Sequence, residues 1–132
     1  MKVEIEISFG ELFDKLSILE IKSKKIKNPD KLKNVNNELS QLNKISELIK
    51  EKNPEMFNHY YSKLLETNSK LWDIEDEIRI CEKNNNFDGT FIKLARDVYY
   101  TNDERFVIKN EINSFYKSGV VEEKEYIEYE SN

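Results

Sequence analysis

The sequence predicts an all-α fold, an antiparallel bundle of about five helices, on three observations. The 132 residues hold only three Gly and two Pro, too little turn chemistry for an all-β chain. Apolar residues recur at intervals of three and four over most of the length, the period of a helix with one buried face. Both prolines follow asparagine, at Asn28-Pro29 and Asn53-Pro54, and that pair stops one helix and starts the next. A chain of 132 residues forms one domain, 1–132, with a single modest core.

In chain order, Lys2–Ser8 alternates Val3, Ile5 and Ile7 with Lys2, Glu4 and Glu6. That is the period of a short half-buried strand, with Tyr126–Tyr129 as its expected partner. A lone two-stranded ribbon is marginal, so an extended arm over 1–8 is the alternative. Ser8-x-x-Glu11 is a capping box and predicts a helix to about Lys27. Phe9, Leu12, Phe13, Leu16, Leu19 and Ile26 share one of its faces. Glu20 falls in the middle of that face, which calls for a cationic partner from another helix. Lys15 and Lys22 lie along its edge, with Ile18 beyond them.

The second helix, from Pro29 through Lys50, carries a plain apolar stripe of Leu32, Val35, Leu39, Leu42, Ile45, Leu48 and Ile49, and reads as scaffold. The third runs from Pro54 to about Lys83 through Phe57, Tyr60, Leu64, Leu71, Ile74 and Ile78. Glu75 lies close to that line, with Asn68 and Glu82 above and below it, and Trp72 and Arg79 share its flank. His59 reads as a surface residue, and Asp73, Asp76 and Glu77 face solvent. Asn84–Gly89 is a loop. A short fourth helix, Thr90 to Tyr100, buries Phe91, Leu94, Ala95 and Val98, with Arg96 and Tyr99 to one side. Thr101-x-x-Glu104 is a second capping box, which predicts a bend and a fifth helix to Tyr116. On it Asn102, Arg105, Lys109 and Asn113 form one stripe beside Ile108 and Ile112. Ser118-Gly119 ends the helix, and the acidic tail, Glu122–Glu130, is a mobile segment or a returning strand.

Composition excludes several classes. Net charge is −5, so a nonspecific grip on nucleic acid or anionic lipid is not expected. Charged residues make 36% of the chain and aromatic residues 11%, too aromatic for disorder. Cys81 is alone, which rules out an intramolecular disulfide and a cysteine zinc site. No signal peptide and no membrane-length apolar run is present, so a cytoplasmic location is expected. No Gly-rich phosphate loop, Ser-His-Asp or Cys-His set or metal-spaced histidines occur, and no cofactor is implied. Asp73/Asp76 is one carboxylate pair of the kind that all-helical nucleotide pyrophosphatases use in twos for magnesium; it faces outward and has no second. Helical chorismate mutases line a bundle pocket with Arg, Lys and Glu, a likeness of architecture without a motif.

The remaining chemistry is a polar cluster on or beside apolar faces: Glu20 and Glu75, with Lys15, Lys22, Arg79, Arg96, Arg105 and Lys109, near Asn102, Trp72 and Tyr99. In a bundle, facing helices bring such residues together. The cations outnumber the carboxylates, which would leave charge over for an anion held by Arg forks. Structural ion pairs on helix flanks are the plainer alternative.

Gly10–Lys22, Leu71–Arg79, Phe91-Ile92-x-Leu94-Ala95-Arg96, Tyr99-x-x-Asn102-Asp103-x-Arg105, Lys109-x-x-Ile112-Asn113 and Glu122-Glu123-Lys124-x-Tyr126 together resemble an uncharacterised family of small bacterial and viral proteins, a domain of unknown function. The resemblance spans nearly the whole chain. It implies a compact helical unit and a link to surface-polysaccharide gene neighbourhoods, and it supplies no catalytic residues.

Two functions from different classes follow. The first is a binding or assembly module that docks onto another protein or onto itself, through the Lys2–Ser8 edge or the broad apolar coverage of the first helix at Ile18 and Ile21. The second is a binder or enzyme for a small anionic metabolite, such as a nucleotide sugar or sugar phosphate. There Arg79, Arg96, Arg105 and Lys109 would hold the anion, Trp72 or Tyr99 would stack, and Glu20 or Glu75 would be the acid/base.

Overall fold

The computed structural model describes residues 1–129 and has four helices: α1 (Phe9–Lys25), α2 (Pro29–Lys52), α3 (Pro54–Lys83) and α4 (Gly89–Phe115). The helix starts follow the local chemistry. Ser8 accepts from the Glu11 N–H at 3.0 Å, Asn28 from Asp30 and Lys31, Asn53 from Met56, and Asp88 from Thr90. Glu11 does not return to Ser8, because its carboxylate is engaged by Lys109. Asn85 and Lys117 take positive φ just past α3 and α4. Each lets the next N–H reach back into the last turn, Asn86 to the Cys81 carbonyl and Ser118 to that of Asn113, both at 2.8 Å.

The expected break at Thr101 is absent, and one continuous α4 replaces the fourth and fifth helices. Leu94, Val98, Thr101, Arg105, Ile108 and Ile112 are spaced four, three, four, three and four apart, a single stripe that runs through the supposed cap. Thr101 is buried within it, and no Gly or Pro interrupts the backbone there, so packing overrides the local capping signal.

The main core joins Phe13 of α1 to Phe57 and Leu64 of α3 and to Ile108 and Ile112 of α4, with Phe9, Tyr60, Tyr61 and Tyr116 packed around it. A smaller cluster, Ile74, Cys81 and Leu94, belongs to α3 and α4 alone. On α2 only Val35 and Ser46 are buried, and Ile45 and Leu48 stand in solvent, so the stripe expected there is half used.

Among the described residues there is no strand. Residues 1–7 belong to no helix or strand, and no backbone–backbone hydrogen bond holds them. Tyr126–Tyr129 does not pair with that arm. Instead the segment after Ser118 returns along α4 as an extended strap: Glu122 meets Lys109, Lys124 lies 5.3 Å over the Phe106 ring, and Tyr129 bonds Asp103. Glu130, the end of the expected acidic tail, lies outside the described residues.

Gly10 lies where α1 closely approaches α4. A Cβ built there would stand 2.7 Å from the Lys109 carbonyl oxygen, a backbone atom. Alanine is the better helix former by about 1 kcal/mol, yet Gly10→Ala is expected to destabilise the fold by about 1–3 kcal/mol through overpacking. Thermal unfolding should show Tm lowered by several degrees.

Candidate functional site

The buried polar centre of the molecule is Asp14, which is 1% exposed. Its carboxylate accepts from Arg105 Nε at 3.0 Å and Arg105 Nη2 at 2.7 Å, a two-pronged contact, and from Asn68 Nδ2 at 2.9 Å. Asn68 also donates to Ser17 Oγ at 2.8 Å, and Ser17 donates to the Asp14 carbonyl. Arg105 reaches the Asn102 amide oxygen at 3.3 Å. The periods of two helices build this seam. Gly10, Asp14 and Ser17 recur at four and three along α1, and Arg105, Lys109 and Asn113 at four along α4. Where glycine lets the backbones close, the Gly10 N–H donates to Asn113 Oδ1 at 2.7 Å.

Lys109, 4% exposed, extends the seam toward the strap. Its ammonium donates to Glu11 at 2.9 Å and Glu122 at 2.8 Å and lies 3.8 Å from Asp14. Burial alone would lower its pKa; hydrogen bonds to Glu122 and Glu11, with the charge of Asp14, outweigh that and hold it above the ordinary value. The same bond from Lys109 holds the Glu122 carboxyl below its ordinary range against the opposing effect of burial, and the charges of Lys109 and Lys124 add to the lowering. A cavity of about 240 Å³ adjoins these groups, between Glu11, Arg105, Phe106, Lys109 and Lys124. The positive charge is used up here: Asp14, Glu11 and Glu122 stand against Arg105, Lys109 and Lys124.

The cluster expected from sequence divides into separate places. Asn102, Arg105 and Lys109 meet in the seam. Trp72, Glu75 and Arg79 line a groove of about 380 Å³ between α1 and α3, with Ile18, Ile21 and the outer side of Arg105. Arg79 touches Glu75 only at 3.8 Å and is largely exposed. Arg96, Tyr99 and Asn102 line a third groove of about 820 Å³, walled by Tyr100, Lys124, Tyr126 and Tyr129. There Arg96 rests 5.7 Å from the Tyr100 ring, and the hydrogen bond to Asp103 pushes the Tyr129 phenol up to about 12. Lys15 lies apart, paired with Glu38 at 2.8 Å, and Lys22 makes no ion pair among the described residues. Glu20 has no cationic partner among them either. The group facing it is Tyr61, whose phenol is raised by its own burial and then by the Glu20 charge.

Sequence reasoning missed Asp14; Glu20, which it placed on the buried face, has a buried Oε2 but no cationic partner among the described residues. The signal for Asp14 was the matching pitch of two stripes, small and acidic on α1 and cationic and amide on α4. Among the described residues, no group of His, Cys, Asp and Glu is placed to hold a metal ion, and no helix is long and apolar enough to cross a membrane.

Two outcomes follow from this geometry. Arg105→Ala leaves Asp14 buried without its fork and should cost about 3–5 kcal/mol in urea unfolding, more than Asp14→Ala, where the partly exposed Arg105 can turn to water. The double variant Asp14→Leu/Arg105→Met should cost less than Arg105→Ala alone. Glu122 titrates below the ordinary carboxyl value of 4.5. Its contribution to stability is therefore complete above that value and is lost as pH falls through the lower folded one. A side-chain NMR titration of Glu122 should show the depressed midpoint, and Lys109→Met should return it toward 4.5.

Comparison with known proteins adds one relation. No curated protein and no solved structure matches the chain. The model of a family of unknown function, DUF6165, matches residues 1–131. The chain therefore belongs to that family.

Proposed function

We propose that this chain is a small helical binding or assembly module that docks onto another protein through its extended N-terminal arm. The observation that carries this reading is the state of the arm. Val3 and Ile5 are 81% and 78% exposed, in a segment that makes no backbone–backbone hydrogen bond among the described residues. Aliphatic side chains left in water cost about 25 cal/mol per Å² of apolar surface, and an extended backbone with alternating side chains is the form that adds to a sheet or pairs with another strand. The arm's root is fixed, with Ser8 buried and the Phe9 N–H donating to Ser118 Oγ at 3.3 Å. The helix face offered as an alternative surface is largely spoken for, since Ile21 is buried and Ile18 half-covered.

The charge balance of the seam favours this reading over a small-anion site at Arg105 and Lys109. The tyrosine groove favours a second reading, a binder of a small anionic metabolite such as a nucleotide sugar or sugar phosphate. There Arg96, which pairs with no carboxylate among the described residues, would hold the anion, and Tyr99 would stack on a ring. On the family resemblance alone, we also propose a bacterial or viral origin and a role beside surface-polysaccharide metabolism; a cytoplasmic location is the expectation from the sequence.

One experiment separates the two readings. Val3→Asp/Ile5→Asp should leave Tm unchanged, because neither side chain packs on the body, while abolishing crosslinks from residues 2–7 to a partner. A thermal shift of several degrees with sugar phosphates or nucleotide sugars, lost in Arg96→Ala, would instead support the metabolite reading.

A further inference from the structure

We infer that the arm's partner is a second copy of this chain, joined by antiparallel pairing of residues 2–6 about Glu4. This rests on the module reading and names its partner. An antiparallel ribbon centred on Glu4 sets residue i of one copy opposite residue 8−i of the other, so Val3 lies across from the partner's Ile5, and Lys2 across from the partner's Glu6. Both contacts occur twice by symmetry. All the apolar residues fall on one face of such a ribbon and all the charged ones on the other, as the two-residue period of a strand requires. Lys2, Glu4 and Glu6 form no ion pair with the body among the described residues, and all three are exposed.

Other pairings fit this sequence less well. In-register parallel pairing would oppose like charges at all three polar positions. A one-residue slip of the antiparallel ribbon would set apolar side chains opposite charged ones. A two-residue slip one way would set Glu4 against the partner's Glu6 at both symmetric contacts, and the other way would take Val3 off the partner's Ile5 and Lys2 off the partner's Glu6. Pairing about Glu4 has one unfavourable contact, Glu4 against the partner's Glu4 on the symmetry axis, and that contact identifies the register. An interface this small falls short of the usual ~1,200 Å² of stable complexes, so the dimer is expected to be weak and concentration-dependent.

The test is sedimentation equilibrium on the full chain over a wide concentration range. The unmodified chain should pass from monomer to dimer. Lys2→Glu and Glu6→Lys should each weaken the dimer about tenfold, because each opposes like charges at both symmetric contacts. Mixing these two variants should restore association as a heterodimer, and Lys2→Glu/Glu6→Lys should restore the homodimer. Glu4→Gln should tighten it. A chain that stays monomeric, or a dimer indifferent to charge at Lys2 and Glu6, overturns the inference. If Val3→Asp/Ile5→Asp still removes crosslinks to a different protein, the module reading survives that failure. If the arm variants change nothing with any partner, both fall.

Discussion

A carboxylate shut away from water must be met by donors on every side, and Asp14 imposes that condition on three helices at once. Arg105 from α4 and Asn68 from α3 donate to it, and the Asn68 amide is held in turn by Ser17 of α1. A buried ionic network of this kind adds little net stability over apolar residues of equal volume. What it adds here is register. Only one axial placement of α4 against α1 brings Arg105 onto Asp14 while the Gly10 N–H meets Asn113. The seam also lies between the aromatic core around Phe13 and Leu64 and the smaller α3–α4 cluster around Ile74, so the two apolar regions are held in fixed relation by polar contacts.

The two extended ends of the chain differ in what α4 offers them. The strap after Ser118 finds a buried ammonium at Lys109, a ring at Phe106 and a carboxylate at Asp103, and lies down along the helix. The arm before Ser8 likewise forms no helix or strand and finds no such row of partners. Its aliphatic side chains remain in water although its root is as firmly fixed as the strap's. The body is thus closed along α4 and open at the arm, and it is this asymmetry that makes the arm the place to seek a partner.

The candidate site was legible in part. The α4 stripe of Asn102, Arg105, Lys109 and Asn113 was visible from its period, and its members do converge. Its acceptors were not: Asp14 sits beside Phe13 and Leu16 on a helix covered on most sides, and a single amphipathic face cannot describe such a helix. With Asp14 and Glu11 unseen as partners, the cations looked in excess. Trp72, Glu75 and Arg79 were correctly associated with one another because they share one helix, whereas Arg96 and Tyr99 lie in a different groove, a separation that depends on how far α4 extends.

The chain by itself determined the helix starts at Ser8, Asn28 and Asn53, where a side-chain oxygen within reach of free N–H groups acts over three residues. It also determined the all-α class. Tertiary structure decided the rest. Thr101 carries a capping signal, but burial in the α3–α4 contact keeps the helix going. Asp14 and Glu20 are both acidic positions on α1, and only the approach of Arg105 gives the first a cationic partner. Tyr126–Tyr129 is the strand partner expected for the arm, yet the segment follows α4, where Lys109 binds Glu122 and Asp103 binds Tyr129. In each case a local preference met a contact between residues distant in sequence, and the contact prevailed because it alone satisfies a buried or charged group.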